Sequence, residues 1–259
     1  MVLSVQERRQ LEQQDLYFLP RPLTLGPQPF SMAAHLRHAV RLFRDMGAPS
    51  PSSAVVAYLV GLYDRSVPPR TDIACRKGCD YCCCQPVLVS APEAFFIAAQ
   101  IREKAALRTA VAAAAQDVIG RSPDGPIKQW IRCPLLENQA CAIYAARPLA
   151  CHAFVSVKLE ACLAAFVDHG PPDIPMPADN ISLLYGCRML LFAAQRLIGR
   201  PDHTYEMNQA VTVVLATDKA EARWLAGEDL FAGVENKTPI PPQVEREIAG
   251  MAAFVAPTL

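Results

Sequence analysis

Five cysteines fall within ten residues, CRKGCDYCCC at 75–84, and no other feature of the 259-residue chain restricts its folding as strongly. A free cysteine ordinarily behaves as a small buried hydrophobe. Five of them crowded beside Arg76, Lys77 and Asp80 do not read as core filler. Thiolate ligand loops place two or three residues between sulfurs, which lets the backbone curl and aim both at one ion. Cys79 and Cys82 have that spacing, Cys75 is one residue looser, and Gly78 suits the sharp turn such a loop needs. Adjacent cysteines tend to point apart. Cys82, Cys83 and Cys84 therefore allow two neighbouring sites or one site with spare thiols.

The alternative use of so many cysteines is disulfide stapling, and the rest of the chain argues against it. The N-terminus carries Glu7, Arg8, Arg9 and Glu12 where a secretory signal would need an unbroken apolar run. No uncharged apolar stretch reaches the length of a membrane span. A reducing cytoplasm is the expected compartment, and structural disulfides are disfavoured there. With 25 basic and 25 acidic residues the chain lacks the basic excess of a nucleic-acid binder. Its 52% hydrophobic content is that of a packed protein and not of a disordered one.

Around the cysteines the periodicity is helical. Pro20, Pro22, Pro27 and Pro29 mark an extended connector, and a helical pattern starts at Ser31 with Leu36, Val40 and Phe43 on one face. Ser50 followed by Pro51 is an N-cap with proline at the first helical position, and that helix stops near Pro68 and Pro69. After the cysteine loop, PVLVS at 86–90 is short and extended. Ser90 with Glu93 makes a capping box for a long Ala-rich helix broken once near Lys104. SPDGP at 122–126 reads as a turn, and GPPDIPMP at 170–177 as a second proline-rich loop. Further helices are expected around Leu183–Ala194, Met207–Leu215, Lys219–Leu225 and Val244–Phe254. The pattern predicts a mainly α protein: about seven helices around a loop-rich cysteine metal-binding core, with at most a short strand pair. Three regions follow, an N-terminal helical one over 1–70, a cysteine-cluster metal-binding domain over 71–170, and a C-terminal helical one over 171–259 packed on the same core.

Downstream of the loop come Cys133 with Leu135, Cys141 with Ile143 and Tyr144, and Arg147 and Pro148 ahead of Cys151. Taken with Cys75, Cys79, Cys82, Cys83 and Glu93, this order over roughly 72–165 resembles the CxxCxxCC cysteine-cluster proteins, the YkgJ family of zinc- or iron-chelating proteins. Two residues depart from the family pattern. His152 stands where arginine is common, which reads as a surface replacement before a ligand or proton carrier, and Cys84 is an extra thiol.

The resemblance implies metal chelation, with Cys75, Cys79, Cys82, Cys83, Cys133, Cys141 and Cys151 as candidate ligands. Thiolate coordination suits zinc and iron–sulfur clusters alike, a 4Fe–4S cluster included. Seven motif thiols exceed the four that one zinc ion or one cubane needs, which leans toward a cluster or a two-metal arrangement. The same domain occurs in flagellin lysine methylases, where it looks like an iron–sulfur site. An iron–sulfur oxidoreductase or a protein-modifying enzyme is therefore one alternative, and a metal-delivery or sensing partner for another protein is a second. Whether the protein is an enzyme stays open, and no catalytic residue is assigned. No phosphate loop, dinucleotide fingerprint or nucleophile elbow is found. Cys162 and Cys187 recur with leucines at helical spacing and read as core. His35 and His38, three apart on a helix, read as solvent-exposed. Arg147 is expected to bind backbone carbonyls or balance thiolate charge, and Tyr144 to pack.

Overall fold

The computed structural model describes residues 24–25, 28–29, 32–121, 129–169, 173–234 and 240–259. The N-terminal residues 1–23, the turn at 122–126 and Gly170, Pro171 and Pro172 of the second proline-rich loop lie outside them. Thr24–Leu25 (β1) and Gln28–Pro29 (β2) pair antiparallel inside the segment read as an extended connector.

Local chemistry accounts for the first helices. α1 (Met32–Arg44) buries Leu36, Val40 and Phe43 along one stripe and ends on Arg41 and Arg44, charges that suit the negative end of the helix dipole. α2 (Pro51–Ser66) starts as the sequence indicates: the Ser50 hydroxyl accepts from Ser53 N–H at 3.2 Å, with proline first in the helix. A carboxylate from a distant helix adds to that cap, because Ser52 N–H donates to Glu221 at 2.6 Å.

β3 (Leu88–Ser90) leads into α3 (Ala91–Ile101) and α4 (Ala105–Asp117), and the break falls at residues 102–104 as expected. α7 (Ala178–Leu197) is the long central helix, and α1, α2 and α10 (Pro242–Val255) all pack against it. α8 (Met207–Ala216) covers α3 and α4, and α9 (Ala220–Leu225) follows it. One apolar core runs from Met32 to Val255. Its aromatic centre includes Phe95, Trp224, Phe231 and Tyr205, with ring centroids 4.5–6.0 Å apart in successive pairs.

The protein is mainly α-helical, with ten α-helices among the described residues. Two short helices raise the number above seven: α5 (Leu149–Ala153), and α6 (Leu159–Phe166) where Cys162 recurs with leucines at helical spacing. Strand content also exceeds one pair. β3 pairs antiparallel with β6 (Thr204–Glu206), and β4 (Leu136–Glu137) pairs with β5 (Ala140–Cys141). Strands of two or three residues carry too little alternation to stand out from loop sequence. Three of them reach the cavity beside the cysteine loop, through Leu136 of β4, Cys141 of β5 and Glu206 of β6. Among the described residues no helix is long and apolar enough to cross a membrane.

Candidate metal centre

The cysteine loop spans the gap between α2 and β3 and is folded by its own backbone. Cys79 N–H donates to Arg76 O at 2.9 Å and Cys83 N–H to Asp80 O at 3.0 Å, two successive tight turns. Gly78 at φ +86° supplies the left-handed residue that the first turn requires. Cys133 is then stitched on, its N–H donating to Cys83 O at 2.6 Å. From there the β4–β5 hairpin turns through Asn138 and Gln139, both at positive φ, and returns Cys141 opposite Leu136. Cys151 rides on α5, which packs against α7.

Glu93 ties these pieces together. Its Oε2 accepts from Ser90 N–H and Ser90 Oγ–H, both at 2.8 Å, completing the capping box. Its Oε1 reaches 56 residues onward and accepts from Leu149 N–H at 3.0 Å, the first residue of α5. One buried carboxylate thus caps two helices and fixes the Cys151 helix to the strand that follows the cysteine loop.

The outcome is one cavity of about 690 Å³ whose wall carries eight thiols, Cys75, Cys79, Cys82, Cys83, Cys84, Cys133, Cys141 and Cys151. All seven candidate ligands therefore face a common space, and the extra Cys84 is among their neighbours. The ten cysteines are free thiols, these eight half-buried and Cys162 and Cys187 buried. Among the described residues no three His, Cys, Asp or Glu side chains are drawn into metal-holding geometry.

The electrostatics fit a soft cation. Burial raises the thiols of Cys75 and Cys141, lifts Cys133 to about 12, and pushes Cys151 well above the usual thiol range. The sulfurs also repel one another as they ionise. Cys82 and Cys83 share a hydrogen bond that leaves the proton on Cys82 and brings Cys83 down to about 7. Arg147 opposes the burial effect at Cys75, Cys141 and Cys151. A bound soft cation would remove the mutual repulsion, and it would take the thiolate form of each ligand.

Arg147 lines the cavity with its guanidinium 3.8 Å from the centre of the Tyr144 ring and its Nε–H donating to Tyr144 O at 3.1 Å. The carbonyl binding expected of it is present. Tyr144 is 64% exposed and serves as the platform for that cation instead of packing inside.

Other expectations need correcting. His152 is buried, not a surface replacement: its Nδ1 lies 3.3 Å from Asp64, and among the described residues its Nε2 has no hydrogen-bond partner. The imidazole occupies interior space beneath α5, edge-on to Tyr63. His35 is half-buried and hydrogen-bonded to Tyr58, whereas His38 is exposed as expected, its ring 4.4 Å from that of Tyr58. Cys187 is core as expected, with its thiol 3.7 Å from Leu59 O. Cys162 is buried in a small satellite cluster with Ala165 and Phe166.

Two residues at the site carried no sequence signal. Ser156 N–H donates to Cys75 Sγ at 3.4 Å. Glu206 lines the cavity as the N-cap of α8, its carboxylate accepting from Gln209 N–H at 2.8 Å and Asn208 Nδ2–H at 3.0 Å. Burial raises its pKa.

Eight thiols that line one cavity in a helical protein make a donor set of the soft-metal type. Residues 74–167 match the CxxCxxCC family model, described as "Putative zinc- or iron-chelating domain", a stretch that spans the cysteine loop, the hairpin, α5 and α6. No curated protein and no solved structure matches the chain.

Proposed function

We propose that the protein binds zinc or iron through thiolates of Cys75, Cys79, Cys82, Cys83, Cys133, Cys141 and Cys151. The observation that carries this reading is their common exposure to one cavity, reached from three separate stretches of chain. The metal would hold the cysteine loop to the 129–158 stretch that returns to it, where the regular elements are a two-residue hairpin and short helical turns. The reducing cytoplasm would keep the thiols available. The metal ion is the partner this reading requires, and the balanced charge of the chain speaks against nucleic acid. The test is elemental analysis of protein purified without oxygen, with and without prior treatment by a strong chelator. Bound zinc or iron, removed by the chelator together with part of the protein's stability, supports the proposal. Metal-free protein with unchanged stability refutes it.

A second reading is favoured by the size of the cavity. About 690 Å³ is far more than an ion or a cubane occupies and lies in the range of small-molecule sites. A 4Fe–4S cluster with an open coordination position and an organic substrate beside it would make the protein an iron–sulfur oxidoreductase or a modification enzyme akin to the flagellin lysine methylases. Brown, visibly absorbing protein from anaerobic purification supports this reading, and colourless zinc protein excludes it.

A further inference from the structure

We infer that the cavity takes a small organic cation, an alkylammonium with an apolar body, whose charged head pairs with Glu206 at the start of α8. The inference rests on the second reading above, in which an organic molecule occupies the cavity. To that reading it adds the chemical class of the molecule and the side chain that recognises it.

Glu206 is a carboxylate on the wall of the cavity, and the main chain holds it there. It stands opposite Leu88 in the β3–β6 ladder, and the next residue, Met207, donates its N–H to Val87 O at 3.0 Å. Two donors orient the carboxylate: Asn208 Nδ2–H reaches Oε1 at 3.0 Å and Gln209 N–H reaches Oε2 at 2.8 Å. A carboxylate offers about four lone-pair sites, so acceptor capacity is left over. Its charge is also unbalanced, because among the described residues no Lys, Arg or His forms an ion pair with it. Asn208 lines the same cavity, is 8% exposed, and its Oδ1 has no hydrogen-bond partner among the described residues. This corner therefore has acceptors and negative charge to spare.

The surroundings narrow the ligand further. Glu206 is itself the N-cap of α8, so the Met207 and Gln209 N–H groups are already spent and offer nothing to an anion. A bare hard cation needs several oxygen ligands, whereas the cavity wall includes Val87, Val118, Leu136 and Met207. A cation that carries its own apolar body satisfies both, pairing with the carboxylate and covering those side chains. Two basic residues of the cavity are engaged elsewhere: Arg147 stacks on Tyr144, and Arg121 donates to Gln129 O. Glu206 acts electrostatically on Cys133, which puts the charged head of the ligand on the thiol side of the cavity.

Hexylammonium, hexanol and hexanoate have closely similar apolar bodies and differ in the charge of the head. Their binding to full-length protein, purified without oxygen and with its metal content measured, is read by ligand-observed nuclear magnetic resonance in the parent, Glu206→Gln and Asn208→Leu. The parent is expected to bind hexylammonium about tenfold more tightly than hexanol, with hexanoate weakest. Glu206→Gln is expected to abolish that preference while hexanol binds as before, and Asn208→Leu to reduce it. Hexanol or hexanoate bound as tightly as hexylammonium overturns the inference and leaves the cavity an organic site. A preference for hexylammonium that survives in folded Glu206→Gln overturns it equally. Binding of none of the three removes the organic reading itself, and the inference with it. Circular dichroism shows whether α8 survives the change to its cap. Should Glu206→Gln unfold, the three probes compared in the parent still decide the question.

Discussion

Cys187 and Cys133 are both thiols among apolar neighbours, and their surroundings assign them opposite fates. Cys187 is 2% exposed on the central helix and meets a helix carbonyl, while Cys133 faces a cavity shared with seven other sulfurs. Replacing Cys187 by Ala is expected to cost about 1 kcal/mol through lost packing, with metal content unchanged. Cys133→Ala is expected to lower metal content, and elemental analysis of the two purified variants checks the contrast. Glu93 is the residue on which most geometry depends. Removing its carboxylate in Glu93→Ala leaves Leu149 N–H and Ser90 N–H without acceptors in the interior and is expected to cost on the order of 2–3 kcal/mol, read by urea denaturation. At this scale the sequence was informative where spacing is local. The Ser90–Glu93 box, the turn at Gly78 and the carbonyl contact of Arg147 could all be read from it. His152 could not, because burial is set by what α5 packs against. Glu206 and Ser156 could not either, since contacts across 50 or more residues leave no trace in local spacing.

Elements show the same division between local and distant causes. The helices with strong caps or wide apolar stripes, α1, α2, α3 and α7, stand where periodicity put them. The strands of two or three residues do not, because their pairing partners decide them: β3 exists only because β6 returns to it from beyond residue 200. The C-terminal helix α10 illustrates an attachment that sequence cannot foresee. Arg196 of α7 grips Glu245 of α10 with two hydrogen bonds, at 2.7 and 2.6 Å, and also holds Asp202. The Arg196 guanidinium holds the Glu245 carboxyl below its usual range. A depressed carboxylate stabilises the folded form when ionised, so its contribution is complete above the ordinary glutamate range and fades as pH falls through the lowered value. Hydrogen exchange of α10 amides is therefore expected to quicken selectively in acid, relative to the interior of α7. The substitution Arg196→Gln should produce the same quickening at neutral pH.

For the whole molecule, one apolar core of helices carries a thiol-lined cavity at its side, and the cysteine segment reaches that cavity with little regular structure. The helical body follows from hydrophobic periodicity and capping, and the thiol donor set from the spacing of the motif. The 690 Å³ cavity, with Glu206 among its lining residues, is a property of packing alone. If metal supplies part of the cohesion, chelator should lower stability by several kcal/mol and lower it mainly in the middle of the chain. Protease cleavage in the presence of chelator is then expected first in the cysteine loop and the 129–158 stretch, with the helical body, α3 and α4 included, surviving longer.

The central claim is that the clustered thiols are metal ligands, and counting accessible thiols against bound metal tests it most directly. Protein purified without oxygen is assayed with a thiol-reactive chromophore before and after addition of a strong chelator, with zinc and iron measured on the same sample. The account predicts that most of the eight cavity thiols are silent until the chelator is added, and that their appearance is matched by released metal at one or two equivalents per chain. Immediate reaction of all eight, with no metal in the sample, would contradict it.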